Sequence, residues 1–163
     1  MFKQVVATSL VALAIGSSSA WAANDATTAI NITASIPTQT FYVLPVNSDF
    51  GKAEVMNYNL QTGLLSTLRQ AYSIKNTSGS IKAYIDGGPV ALSNGTTASN
   101  IDLVTTFNGK TLTAVSQEVL ASGATAIAGI SADLVITPAT PGDGVSGNFT
   151  AAYTVVFDNV PTI

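Results

Sequence analysis

Ile101, Leu103, Thr105 and Phe107 recur at every second position and stop at Asn108-Gly109, after which Leu112 and Ala114 follow. A period of two puts one set of side chains on each face of an extended strand. Asn-Gly favours the positive φ values of a type I′ turn, so the segment reads as a β-hairpin. Other segments repeat the pattern, and it restricts the chain to an all-β fold.

Residues 28–36 alternate Ile30, Ile32, Ala34 and Ile36 with Asn31, Thr33 and Ser35, and Pro37 stops them. Residues 41–44 are a short apolar run closed by Pro45, with a turn at 47–52 and an edge pairing expected within 52–59. Residues 68–76 alternate Leu68, Gln70, Tyr72 and Ile74 with polar or small neighbours. Asn76-Thr77-Ser78-Gly79 then turns the chain into residues 80–86, with Ile81, Ala83 and Ile85 inward, and the pair reads as a hairpin. Residues 117–121 fit one helical turn that Ser122-Gly123 would end. Residues 134–136 read as a buried strand, 138–147 as a Pro/Gly loop, and 149–157 as the last strand, with Phe149, Ala151, Tyr153, Val155 and Phe157 on one face. Short strands with turn signals between them indicate one β-sandwich domain.

The first 22 residues read as a secretion signal. Lys3 is followed by an apolar run over 5–15, too short for a membrane anchor, and Ala20-Trp21-Ala22 suits a signal peptidase. Cleavage is expected between Ala22 and Ala23. Five basic residues (Lys52, Arg69, Lys75, Lys82, Lys110) then face nine acidic ones, a net charge of about −4. Such a chain would not neutralise a phosphate backbone, which argues against nucleic acid as a partner. Only 9% of residues are charged, against about a quarter in ordinary domains. A neutral surface suits an extracellular protein exposed to trypsin-like proteases. It also suits one that packs against copies of itself.

The sequence holds no Cys and no His. No disulfide can staple this exported fold. The commonest metal ligands and the usual neutral-pH base are missing, so no cofactor and no enzyme activity are expected. Asp49 with Glu54, or Asp133 with Asp143, could in principle pair for glycosidase chemistry, but turn or surface roles suit them better. Asp143-Gly144 lacks the acidic spacing of a calcium loop. Tyr58, Tyr72 and Tyr84 could form a sugar-stacking surface, although the alternation of Tyr72 with Ile74 fits a core position.

The strand at 28–36 has two readings: an edge strand of its own domain, or a strand donated to a neighbour. Burying three Ile side chains would contribute about 5–9 kcal/mol before ordering costs. Ladder bonds would close an open edge, and a contact given at one end and received elsewhere makes a head-to-tail polymer.

Ile-Asn-Ile-Thr-Ala-Ser-Ile-Pro at 30–37, Leu-Val-Ile at 134–136, the Pro/Gly loop and Gly-Asn-Phe-Thr at 147–150 occur in an order that resembles the major pilins of alpha-type chaperone–usher fimbriae, the colonization-factor and cable-pilus major subunits. The resemblance implies an incomplete immunoglobulin-like β-sandwich completed by donor-strand exchange. It implies a donor strand within 23–37, carried by Ile30, Ile32, Ala34 and Ile36, ahead of a pilin domain at 38–163. Phe149, Ala151, Tyr153, Val155 and Phe157 would form one wall of the acceptor groove. Implied partners are further copies of the chain, a periplasmic chaperone, an outer-membrane usher and a minor tip adhesin subunit. The implied setting is export through the periplasm to a cell-surface fimbria that supports adhesion, with this chain as its shaft subunit. The tail after Phe157 runs past where such a pilin is expected to stop. The alternative from another class is a self-contained, secreted β-sandwich that binds carbohydrate or acts as an adhesin.

Overall fold

The computed structural model describes residues 40–162. The signal segment, its Ala22/Ala23 junction and the strand bearing Ile30, Ile32, Ala34 and Ile36 lie outside the described residues. In chain order the strands are β1 (Phe41–Pro45), β2 (Tyr58–Asn59), β3 (Leu64–Leu65), β4 (Leu68–Asn76), β5 (Gly79–Ile85), β6 (Ala91–Leu92), β7 (Ile101–Phe107), β8 (Lys110–Thr111), β9 (Gln117–Leu120), β10 (Ile130–Pro138) and β11 (Val155–Pro161). A short helix, α1 (Ala124–Ala128), follows β9.

The strands form a six-stranded sheet ordered β1-β4-β10-β7-β6, with β8 also on β7, and a three-stranded sheet ordered β11-β5-β9. A small hairpin pairs β2 with β3. Every strand pairing among the described residues is antiparallel. The registers set Leu134 opposite both Gln70 and Phe107, and Ile136 opposite Leu68 and Thr105, so the alternating residues of β4, β10 and β7 share one face. On the other sheet Val155 and Phe157 of β11 lie opposite Ile85 and Ala83 of β5. Between the sheets Phe107 meets Phe157 edge-on at 4.7 Å and Tyr72 at 5.5 Å, and Ile74, Ile81, Ala83 and Phe107 are fully buried. The offset edge-to-face geometry is the favourable one for aromatic quadrupoles.

The Asn108-Gly109 turn forms as the sequence reads, with φ of 48° and 74° joining β7 to β8. Three local expectations are corrected. Residues 68–76 and 80–86 are not a hairpin: β4 pairs with β1 and β10, whereas β5 pairs with β11 and β9. The turn between them is an arch from one sheet to the other. Asn76 makes the corner, fully buried. Its Nδ2 donates to Ser80 O at 2.7 Å and Asn159 Oδ1 at 2.9 Å, and its Oδ1 accepts from Ser78 N and Oγ at 3.0 Å. A side chain that replaces backbone partners in this way lets the chain leave one ladder and enter another.

Residues 117–121 are not a helical turn. Gln117–Leu120 pairs with β5 through a bulge, and the helix comes after Ser122-Gly123. The bulge turns both Val119 and Leu120 into the core, a burial that helical propensity cannot match. Asn108 Nδ2 ties the bulge to the hairpin turn through Val119 O at 2.6 Å.

The last strand is not 149–157 but Val155–Pro161, so the tail after Phe157 belongs to the ladder. Its partner β5 ends at Ile85, and Asp86 N to Thr154 O is the last bond on that side. Thr150 instead exchanges two 3.0 Å backbone bonds with Ser93, beside β6.

Gly79 opens β5 where β11 ends. A Cβ there would sit 1.9 Å from Val160 O and 2.7 Å from Pro161 Cα, both backbone atoms. Gly79→Ala therefore forces the ladder apart. The expected cost is about 3 kcal/mol, read as a lower midpoint in chemical denaturation.

Candidate functional site

The three-stranded sheet has fewer strands than the six-stranded one, and residues of the larger sheet floor a cleft of about 1100 Å³. Leu68 of β4, Leu134 and Ile136 of β10, and Ile101 and Leu103 of β7 supply the floor. Ile101, Leu103 and Ile136 are buried yet stand outside the main cluster formed by Ile74, Ile81, Ile85, Phe107 and their neighbours. They are buried apolar side chains that line the cleft rather than belong to that cluster. Residues 50–56 form one rim and 145–155 the other. β11 is an end strand of its sheet, so one of its edges has no partner strand among the described residues. An unpaired edge beside an apolar trough is a template for one more strand.

All five residues expected on the groove wall, Phe149, Ala151, Tyr153, Val155 and Phe157, line this cleft. Only Val155 and Phe157 do so from β11; the other three lie on the irregular stretch before it. From that stretch the Tyr153 hydroxyl still reaches across to Thr105 of β7 at 2.8 Å, whereas Ala151 is exposed. Burial raises the Tyr153 phenol above its ordinary pKa despite that bond, and burial also raises Tyr72. Both phenols stay neutral at physiological pH and offer the cleft hydroxyls without charge. Sequence reading missed the floor and the 50–56 rim. The floor residues carry the same alternation as any core strand, and nothing local separates the two.

Three of the four carboxylates weighed for catalysis have other partners. Asp49 accepts from Lys52 Nζ at 2.6 Å, which holds its carboxyl below the usual range. Glu54 accepts the Gly51 amide at 3.1 Å, and Asp133 pairs with Arg69 at 2.7 Å. These are exposed pairs of small energetic weight. Among the described residues no group of three or more acidic side chains could hold a metal ion. Tyr72 is half-buried in the aromatic cluster, touching Phe50, Phe107 and Phe157.

The chain is similar in structure to the CooA pilin subunit from enterotoxigenic Escherichia coli, with a TM-score of 0.51 and 14% identity, over 71% of this chain and 86% of that one. The likeness identifies the fold as an incomplete immunoglobulin-like sandwich. No curated protein sequence matches significantly. A family model, that of the CS1 type fimbrial major subunit, matches residues 26–158. That match takes in the six-stranded sheet, β11 as far as Asp158 and the whole cleft: the chain belongs to the family of CS1 type fimbrial major subunits, the structural subunits of fimbrial shafts.

Proposed function

We propose that this shaft subunit polymerises by donor-strand exchange: residues 23–37 of one copy fill the cleft of the next. The observation that carries the reading is the apolar cleft lined by Ile101, Leu103 and Ile136, beside the edge of β11 that has no partner strand among the described residues. Ile30, Ile32, Ala34 and Ile36 are the side chains to cover that floor. Phe149, Ala151, Tyr153, Val155 and Phe157 form the wall along which the strand would lie.

On this reading the subunit leaves the cytoplasm with its first 22 residues as a signal, cleaved between Ala22 and Ala23. A periplasmic chaperone occupies the cleft until an outer-membrane usher exchanges it for the next subunit's strand. The finished fimbria carries a minor tip adhesin and supports adhesion. An unfilled apolar cleft explains why a chaperone would be needed, since exposed apolar surface beside an unpaired edge invites aggregation.

The test is a chain in which a second copy of residues 23–37 is fused after Ile163 through a flexible linker. A self-supplied strand acts as a ligand of effectively high concentration. A rise of tens of degrees in melting temperature over the unfused chain is expected, given about 5–9 kcal/mol of apolar burial before ordering costs and about 2–4 °C per kcal/mol for a domain near this size. An unchanged melting temperature would mean a sandwich that needs no added strand.

A further inference from the structure

The β2–β3 hairpin presents an apolar surface that the fold does not use. Leu60 at its tip is 90% exposed, and Tyr58 and Leu64 are also exposed. Tyr58 and Leu65 line both the cleft and a hollow in the hairpin itself, so the two surfaces are continuous. Exposed apolar surface of this kind, in a chain whose natural partner is another copy of itself, marks a contact site.

Topology says which part of the neighbour reaches it. β4 starts at Leu68, just after the hairpin, and ends at Asn76. β11 runs towards the Asn76 end, because Asn159 bonds Asn76 while Tyr153, ahead of β11, bonds Thr105 in register with Ile136 and Leu68. A strand added antiparallel to β11, the sense of every pairing described here, leaves the cleft at the hairpin end. Only residues 37–40 separate it from β1 of its own subunit, a span of at most about 14 Å. The donor's body must therefore sit close against the hairpin. Its facing end is the one where Phe41 pairs with Asn76 and where α1 leads into Ile130, opposite Ile74. That end carries an exposed apolar residue of its own, Ile127 of α1.

We propose that the β2–β3 hairpin is a second contact between neighbouring copies of this chain, packing against the α1 end of the subunit that donates its strand. The proposal rests on the strand-exchange reading above. Such a contact would set the angle between successive subunits and stiffen the shaft, which strand exchange through a short connection does not do alone.

The sequence contains no Cys, so an engineered pair reports cleanly. Fibres assembled from the Leu60→Cys, Ile127→Cys double variant and treated with a flexible bismaleimide should give a ladder of covalent multimers on a denaturing gel. Neither single variant should give one. Leu60→Asp should leave the strand-fused monomer melting as wild type, because the side chain is exposed, while its fibres dissociate at lower denaturant. Fibres that form without the ladder, together with Leu60→Asp fibres as resistant as wild type, overturn the hairpin contact and leave strand exchange standing. Failure of strand exchange reads differently: the strand-fused monomer gains no stability.

Discussion

On the strand-exchange proposal, a chain lacking residues 23–36 is expected to make no fibres, yet still to accept a strand from an intact copy. Deletion removes the three Ile side chains that the proposal places in the neighbour's cleft, about 5–9 kcal/mol of apolar burial before ordering costs. Every 1.4 kcal/mol is tenfold in an equilibrium constant, so even half of that reduces association by about sixtyfold or more. The cleft itself is untouched, because its floor and both rims lie within residues 50–157. Mixing is therefore the sharper experiment. A truncated subunit that accepts but cannot donate ends any fibre it joins, so mean length falls as its fraction rises. Electron microscopy of fibres assembled at several mixing ratios measures this. Long fibres from the truncated chain alone would rule strand exchange out.

The contrast between donor and acceptor also shows what could be read in the sequence. A donor strand is one contiguous segment, and period-two alternation with a terminal Pro is visible in a single line of residues. An acceptor cleft is assembled from segments far apart in the chain. Leu68, Ile101, Leu103, Leu134 and Ile136 alternate as correctly as Ile74 or Ile81. Whether such a residue ends beneath a second sheet or on the floor of a cleft depends on how far that sheet extends. Alternation found the inward faces of β4, β5 and β7, because burial of one face fixes register, whereas 134–136 read only as a buried run inside what is β10. It could not find the partners. Asn76-Thr77-Ser78-Gly79 has the composition of a hairpin turn, and it becomes an arch because the Asn76 side chain bonds Asn159, 83 residues away. In the same way Phe149, Ala151 and Tyr153 continue the sequence alternation of Val155 and Phe157, yet β11 starts only at Val155. The length of a strand is set by its neighbour, and β5 ends at Ile85.

Phe107→Ala is expected to destabilise the fold by about 4 kcal/mol, within the range for deleting a buried aromatic ring. Phe107 is fully buried on β7, where the six-stranded sheet faces the three-stranded one. Its ring is held edge-on by Phe157 of β11 and by Tyr72 of β4. Removing it leaves a void between the sheets, and rigid β ladders on both sides limit collapse. The sequence has no Cys, so no disulfide makes up the loss, and domains of this kind hold only about 5–15 kcal/mol in total. Loss of this size lowers the denaturation midpoint of the strand-fused monomer at an unchanged denaturant slope. Because Phe157 belongs to both the aromatic cluster and the cleft wall, the same variant should also gain less from the fused strand than wild type does. Phe107→Leu, which keeps most of the volume, should recover the larger part of both effects. A loss under about 1 kcal/mol for Phe107→Ala, near the average for any single substitution, would mean that the two sheets are clamped elsewhere and that the cleft wall stands independently of the core.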